Sequence, residues 1–395
     1  MNKTKQIWQF PWKFIESFII LATAIIIAFL IDYLNNSDTH ILIKYPYNVL
    51  ILSVFIILSV GVFLLFKENQ IVKWISSVYL AISSIILLLF FVILMGVAGN
   101  GNSGIINLNS DDILFSKSFF VLLFFILSNL LFVIIKRFND FSLENLIFII
   151  NHLGLFILIV SLSFGAGDIQ KHRLKIYKEK SLQIQDGNNL FEISLLNFEM
   201  EMFPAKIAIV ENKTDKIIKG NNYIISTNTD SIINFGEYQI KLKKYLKNAV
   251  FFNNKYHFVN EQGASPAANL IIKTHKKEIP VWISCGSYIY PSKFYELDSN
   301  YTLVMLEPEP KSYKADVKIA YKNKTPENIT LQINKPVNIA NWDFYLSDYD
   351  KNTGQWSDYI IVEIVKDKWL NFVYLGIFLM ILGAIGLIFK IKSKN

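Results

Sequence analysis

Hydrophobic positions along this chain follow two patterns, and the boundary between them divides the molecule. Residues 14–135, 146–166 and 370–389 hold long, nearly uninterrupted apolar runs, whereas residues 168–368 do not. A helix that crosses a membrane needs about 20 predominantly apolar residues. Six runs have this length and predict membrane-spanning helices: Phe14–Leu34, Val49–Phe66, Ile75–Val97, Phe115–Ile135, Leu146–Phe164 and Leu370–Phe389.

The region between the fifth and sixth runs has the period of β-strands. From Ser181 onward, short segments such as YQIKLKKY and YIIVEIV are rich in β-branched and aromatic residues, and Asn, Asp, Gly and Pro separate them. Such spacing is typical of an antiparallel sandwich-like domain. Residues 212–235 and 247–262 carry few strand signals, so we expect longer loops there.

These patterns divide the chain into four parts. Residues 1–145 form a membrane region of four helices, and residues 146–167 form a fifth span. Residues 168–368 form the β-rich domain, and residues 369–395 carry the last span and a short tail. The sequence therefore predicts a polytopic α-helical membrane protein of about six spans with one large, sandwich-like antiparallel β domain outside the membrane.

Basic residues predict the orientation, because loops on the cytoplasmic side carry an excess of Lys and Arg. The short loops on one side contain only Lys44 and Lys117. Both termini are therefore expected in the cytoplasm of a bacterium, with residues 168–368 extracytoplasmic. Four tryptophans fall near predicted interfaces: Trp8, Trp12, Trp74 and Trp369. The side that is assigned to the cytoplasm carries ten basic residues: Lys3, Lys5, Lys13, Lys67, Lys73, Lys136, Arg137, Lys390, Lys392 and Lys394.

Composition narrows the possible functions. The chain is 52% hydrophobic with a mean hydropathy of +0.35, which is too apolar for an ordinary soluble protein. The net charge of +7 is concentrated at membrane edges without a basic, aromatic-interleaved pattern, so no nucleic-acid partner is expected. Cys285 is the single cysteine, which excludes an internal disulfide and CxxC chemistry and favours a simply packed thiol. With no catalytic motif in the sequence, the chain alone is not expected to be an enzyme.

One ionisable residue lies inside a predicted span. His152 is on the order of 10 Å from the start of the fifth run. Ionisable residues within a membrane are costly and are functional candidates by default. Two interpretations stay open: His152 is a ligand for a metal or cofactor, or it is a packed histidine that is hydrogen-bonded to a neighbouring helix, for instance through Asn151.

Six segments carry a resemblance to a known family. They are NHLGLFILIVSLSFGAGDIQKHRLKI from Asn151, NFEMEMFPAKIAIVEN from Asn197, Gly263–Ala267, VWISCGSYIYP from Val281, LEPEPKSYKADVKI from Leu306, and the stretch from Asn341 to Phe389. In this order they resemble the ResB family, also called CcsB, a membrane component of system II cytochrome c biogenesis. The resemblance covers about two thirds of the chain. The closing segment of the family tends to read Asp-Pro-Trp, where this chain has Asp367-Lys368-Trp369.

The resemblance implies a function in haem transport. The family, with a CcsA (also called ResC) partner, brings haem b across the cytoplasmic membrane and presents it for covalent attachment to apocytochrome c. It implies that His152 is an axial ligand of the haem iron, since a neutral imidazole nitrogen suits that role. Lys171, His172 and Arg173 are candidate contacts for the haem propionates, or ordinary interfacial cations. The Trp-rich haem-handling motif is absent, which implies a two-subunit machine.

The partners follow from the same resemblance. The second axial ligand is expected from a helix of the CcsA-type protein, and the β domain is expected to dock beside it or to hold apocytochrome c or a periplasmic thiol reductant. Two other classes stay open. One is a structural subunit that stabilises the CcsA-type partner without binding haem. The other is a membrane-anchored sensor domain unrelated to haem.

Overall fold

The computed structural model describes residues 9–35, 44–98, 110–138, 142–186, 189–218, 224–226, 232–275, 277–321 and 325–393. Part of the predicted orientation rests on Lys3, Lys5 and Lys394, and these residues lie outside the described ranges. The same holds for Trp8, which was predicted to lie near a membrane interface. The chain divides into two compact units. The helical unit comprises residues 1–170 and 367–395, and the β unit comprises residues 171–366.

The helical unit confirms six helices long and apolar enough to cross a membrane. The described α-helices are α1 (Phe14–Asn35), α2 (Tyr47–Phe66), α3 (Gln70–Ile75), α4 (Val78–Ala98), α5 (Ser110–Leu114), α6 (Lys117–Phe138), α7 (Leu143–Phe164) and α8 (Leu370–Ser393). Helices α3 and α5 are too short to span. Helix α6 is central among the spanning helices. Of its most apolar 18-residue segment, 56% is buried inside the protein, compared with at most 28% for any other described spanning helix.

The break between α3 and α4 corrects the predicted third span, which begins at Val78 and not at Ile75. The side-chain amide of Asn129 on α6 donates to the backbone carbonyls of Ile75 and Ser77. The end of α3 leaves the Ile75 carbonyl without a backbone donor among the described residues, and the buried amide supplies one, while the Ser77 carbonyl also accepts from the Ala81 backbone. A polar residue in the middle of α6 therefore stabilises the break.

The strands of the β unit, from 2 to 15 residues long, pair antiparallel in every ladder between named strands. They are β1 (Gln170–Tyr177), β2 (Ser181–Asp186), β3 (Asn189–Met202), β4 (Lys206–Glu211), β5 (Lys216–Ile217), β6 (Ile224–Ser226), β7 (Ile232–Phe235), β8 (Tyr238–Phe252), β9 (Lys255–Phe258), β10 (Ser265–Lys273), β11 (Glu278–Ser284), β12 (Tyr295–Glu296), β13 (Tyr301–Met305), β14 (Pro310–Tyr321), β15 (Glu327–Gln332), β16 (Val337–Ile339), β17 (Trp342–Tyr349) and β18 (Tyr359–Lys366). The predicted antiparallel β domain is confirmed.

The four sheets pack in two pairs, and each pair encloses one hydrophobic core. The sheets β1-β18-β17-β16 and β15-β14-β3-β2 enclose one core, in which alternate residues of β17 (Trp342, Phe344 and Leu346) are buried. The sheets β11-β10-β8-β7 and β12-β13-β4-β5 enclose the other core. Alternate residues of a strand face the same side of its sheet, so this period builds both cores. Residues 247–258, which were expected to be loop, instead complete β8 and form a hairpin with β9.

Candidate functional site

The candidate ligand in the membrane half is His152, in the middle of α7. Its Nδ1 atom lies 3.0 Å from the backbone carbonyl oxygen of Phe148, one turn earlier. A carbonyl only accepts hydrogen bonds, so the neutral ring carries its proton on Nδ1 and its lone pair on Nε2. Among the described residues Nε2 has no hydrogen-bond partner. The ring is half-buried and stacks on the Phe148 ring at 3.7 Å. The geometry leaves a ligating nitrogen accessible on a fixed ring.

A different face of α7 packs against α8. A Cβ added to Gly154 would lie 2.7 Å from the backbone of Gly376 and Met380, so only glycine allows this approach. Next to His152 in sequence, the side-chain amide of Asn151 donates to the Met380 carbonyl at 3.0 Å. Successive helical residues point about 100° apart, so His152 faces away from this contact. The interhelical hydrogen bond expected of a packed histidine belongs to Asn151.

Between Phe148 and Ile159 the side of α7 that carries His152 is otherwise apolar. Helical spacing places Phe148, Leu155 and Ile159 along the same stripe. Further along it, a cavity of about 210 Å³ opens between α4, α5, α6 and α7. Its lining includes Ile159, Leu162 and Ser163 of α7, and Ala166 just after the end of that helix. His152 thus belongs to a continuous, mainly apolar surface that runs toward the end of α7 preceding β1.

One cation lies close to the histidine at the other end of the stripe. The guanidinium carbon of Arg137, in the last turn of α6, is 4.7 Å from the Phe148 ring centroid. An Arg137 nitrogen donates to the side-chain oxygen of Asn145 at 2.6 Å. In the sequence this arginine indicates only membrane orientation, because the contact with Phe148 depends on how α6 and α7 pack. Sequence reasoning therefore missed it.

The predicted propionate contacts lie beyond the far end of α7. The helix extends from His152 to Phe164, about 18 Å of axial rise. On β1 the exposed side chains of Lys171 and Arg173 share one face, and His172 lies on the other. Lys171 forms an ion pair with Glu363 at 2.5 Å, and the His172 ring lies 5.6 Å from the buried Trp342 ring. The three residues do not form one cluster.

A polar cluster fastens the end of α7 to two other helices of the helical unit. The Asp168 carboxylate accepts hydrogen bonds from the Tyr45 backbone at 2.8 Å, the Asn48 amide at 2.7 Å and the Trp369 indole at 2.8 Å. Burial by itself raises the pKa of Asp168, but these donors and the charge of Lys368 together hold the pKa below its ordinary value. Both carboxylate oxygens accept from donors of the helical unit, so we assign the cluster a structural role.

A cleft of about 390 Å³ lies in the β unit. Five of the segments that carry the resemblance line it, and four of them contribute Phe203 and Pro204, Ala264–Pro266, Cys285–Tyr288, and Glu307 and Pro308. A fifth wall is the turn from Lys351 to Trp356, whose indole donates to the Ala264 carbonyl at 3.2 Å. The lining combines aromatic and proline side chains with a few charged ones, a mixture that is suited to binding a peptide segment.

Neither Ser284 nor Cys285 is a nucleophile in this cleft. Burial, with the nearby charge of Glu307, raises the pKa of the Cys285 thiol to about 12. A thiol with this pKa carries almost no reactive thiolate at neutral pH. The hydroxyl of Ser284 is buried and donates to the Pro266 carbonyl at 2.7 Å. Within the described residues no group of three or more His, Cys, Asp or Glu side chains is placed to hold a metal ion.

Comparison with known proteins gives no further assignment. No protein-family model and no curated protein matches the chain.

Proposed function

We propose that this chain is the ResB-type subunit of a cytochrome c biogenesis system, which moves haem b across the bacterial cytoplasmic membrane and presents it to apocytochrome c. The observation that carries the proposal is the hydrogen bond from His152 Nδ1 to the Phe148 carbonyl. A hydrogen bond on one ring nitrogen sets the tautomer and directs the other nitrogen toward a metal. In a span of apolar residues, this is the arrangement that an axial ligand of haem iron requires.

The surroundings of His152 fit haem as a transported substrate. Phe148 supports the imidazole from one side, and Leu155 and Ile159 supply apolar surface for a porphyrin. The ring is half-buried, so a second subunit can approach the free side of the iron. In this proposal that subunit is the CcsA-type partner, and it contributes the second axial ligand. The proposed orientation has both termini in the cytoplasm and residues 168–368 outside.

The cleft of the β unit is the proposed binding site for apocytochrome c or for the thiol reductant that keeps its cysteines reduced. Attachment adds a cysteine S–H across a haem vinyl group: sulfur bonds to one carbon and the hydrogen goes to the other. Cys285 takes no part, because its thiol remains protonated. We therefore assign the chain a role in binding and presentation, with the covalent step carried out by the assembled complex.

The structural alternative, in which His152 only braces the helices, is less well supported. A bracing role requires a bond from the ring to another helix, and the bond observed within the described residues is to α7 itself. Asn151, Gly154 and Gly376 already hold α7 against α8. The sensor alternative leaves a partly buried imidazole with an unused lone pair, which is costly in a membrane.

Absorption spectroscopy of the purified complex tests the proposal. The chain is isolated with its CcsA-type partner, and the bound haem per protein is measured for wild type, His152→Gly and a control, His257→Ala, whose ring is exposed on the β unit. We expect His152→Gly to lose at least about tenfold in bound haem and to regain it with added imidazole, while the control retains it. Unchanged haem content and spectrum in His152→Gly would refute the proposal.

A further inference from the structure

The second feature of the membrane half that points to a ligand is the position of Arg137 relative to His152. The guanidinium carbon lies 4.7 Å from the Phe148 ring centroid, and the His152 ring lies 3.7 Å from the same centroid. The guanidinium and the imidazole are therefore no more than about 8.4 Å apart. This is the scale of the separation between the iron of a haem and its propionate carboxylates.

Arg137 has donors to spare. Its described partners are the neutral amide of Asn145 and the Phe148 ring, and neither is a carboxylate. A guanidinium carries five N–H donors in a planar fork that matches a carboxylate, and within the described part of the chain one bond to Asn145 uses only one of them. That bond and the contact with Phe148 also fix the side chain on the His152 side of α7.

The end of the stripe that lies away from Arg137 is apolar. Beyond His152, the stripe continues through Leu155 and Ile159 to the apolar cavity that Leu162 and Ala166 help to line. A haem has two charged propionates along one edge and two apolar vinyl groups along the opposite edge. The stripe thus offers a cation to one edge, a ligand to the iron and hydrocarbon to the other edge.

We infer that Arg137 binds a propionate of the haem whose iron His152 ligates, so that the vinyl edge points along α7 toward Ile159. The inference rests on the proposed function and adds an orientation to it. The vinyl groups, which form the thioether bonds, point toward the end of α7 that precedes β1 in the chain. Arg137 is therefore a specificity-determining residue for a porphyrin that carries carboxylates. The sequence analysis had named Lys171, His172 and Arg173 as the candidates for this role.

The test compares haem b with its dimethyl ester, which lacks both carboxylates. The full chain is placed in lipid nanodiscs and titrated with each porphyrin, for wild type, Arg137→Gln and the matched control Lys136→Gln, an exposed cation one position earlier on α6. A hydrogen-bonded pair with a charged group contributes about tenfold to a hundredfold in affinity. Wild type and Lys136→Gln are expected to prefer haem b by that factor, and Arg137→Gln to bind both porphyrins within about threefold.

The outcomes separate the two claims. The haem spectrum of His152→Gly, with and without imidazole, is recorded in the same nanodiscs. If that spectrum and the affinity match wild type, the proposed function fails whatever Arg137 does. If His152 is required but Arg137→Gln keeps the preference for haem b, or wild type has none, the orientation by Arg137 is wrong while iron ligation stands.

Discussion

The cluster around Asp168 makes a quantitative prediction about the helical unit. One carboxylate oxygen accepts from both Asn48 and Trp369, and the other accepts from the Tyr45 backbone. In Asp168→Asn, the amide oxygen can replace only one of these oxygens, and the new NH₂ group then faces a donor. At least one hydrogen bond to a charged acceptor is lost and a donor is left unpaired.

The cost follows from these contacts. A hydrogen bond to a charged group contributes about 1.5–3 kcal/mol net, and an unsatisfied donor costs a further amount of similar size when buried. Asn48 is fully buried but keeps the Phe164 carbonyl as a second acceptor at 2.9 Å, which limits the loss. We therefore expect Asp168→Asn to lower the free energy of unfolding of the helical unit by about 2–3 kcal/mol.

The assay is unfolding of the full chain in mixed micelles with increasing SDS, followed by the helical signal in far-UV circular dichroism, since the spanning helices all belong to the helical unit. Asp358→Asn is the matched control, because the Asp358 side chain is exposed. A midpoint for Asp168→Asn that equals those of wild type and the control would refute the structural role of the cluster.

The same cluster predicts a pH dependence with a definite sign. The pKa of Asp168 in the folded protein is lowered, so its stabilisation is fully present above the ordinary carboxyl pKa and is lost as pH falls through the folded pKa. The stability difference between wild type and Asp168→Asn is expected to be constant above about pH 4 and to shrink below it. A difference that instead disappears between neutral pH and about pH 5 contradicts this assignment.

Three further predictions concern single side chains. Gly154→Ala is expected to lower the free energy of unfolding by at least about 2 kcal/mol in the same assay, because its Cβ would meet the α8 backbone. Gly61→Ala, on α2 with nothing within 4 Å, is the control and is expected to be neutral or slightly stabilising. Cys285 is expected to react with iodoacetamide at least about tenfold more slowly at pH 7.5 than a model thiol, and equal rates would contradict its burial. Asn151→Ala is expected to weaken the α7–α8 contact without changing the haem spectrum per folded protein, and a changed spectrum would assign Asn151 to the ligand site.

Hydropathy predicted the helices well because a membrane span is a strong, local signal. The predicted and observed ends of the second span differ by two residues, at Val49 and Tyr47. The predicted start of the third span was wrong, because the break between α3 and α4 depends on Asn129, which lies on another helix. Local composition does not report such a contact.

The division of the β unit into two cores was not visible in the sequence. Alternation tells which residues of a strand are buried, but not which sheet they face. The hairpin of β8 and β9 was mistaken for a loop because Asn253 and Asn254, both with positive φ, form its turn, and Lys255 follows them. Asn-rich two-residue turns are common in hairpins, so this signal was available.

The candidate site was predicted in part. An imidazole within a span is a feature of the sequence, and it pointed to His152. The tautomer of His152 depends on where the Phe148 carbonyl lies, and the approach of Arg137 to the Phe148 ring depends on how α6 packs against α7. Neither could be predicted from the sequence. The propionate candidates Lys171, His172 and Arg173 were chosen as the first cations after the helix, and strand alternation separates them.

Covalently bound haem in cells tests the central claim most directly. Cells that carry His152→Gly in place of the wild-type chain are grown with limited haem, and their c-type cytochromes are measured by haem staining after denaturing electrophoresis. We predict a loss of at least about tenfold relative to wild type, partly restored by imidazole in the medium, at an unchanged level of the membrane protein. Cytochromes at the wild-type level in His152→Gly cells would contradict the account.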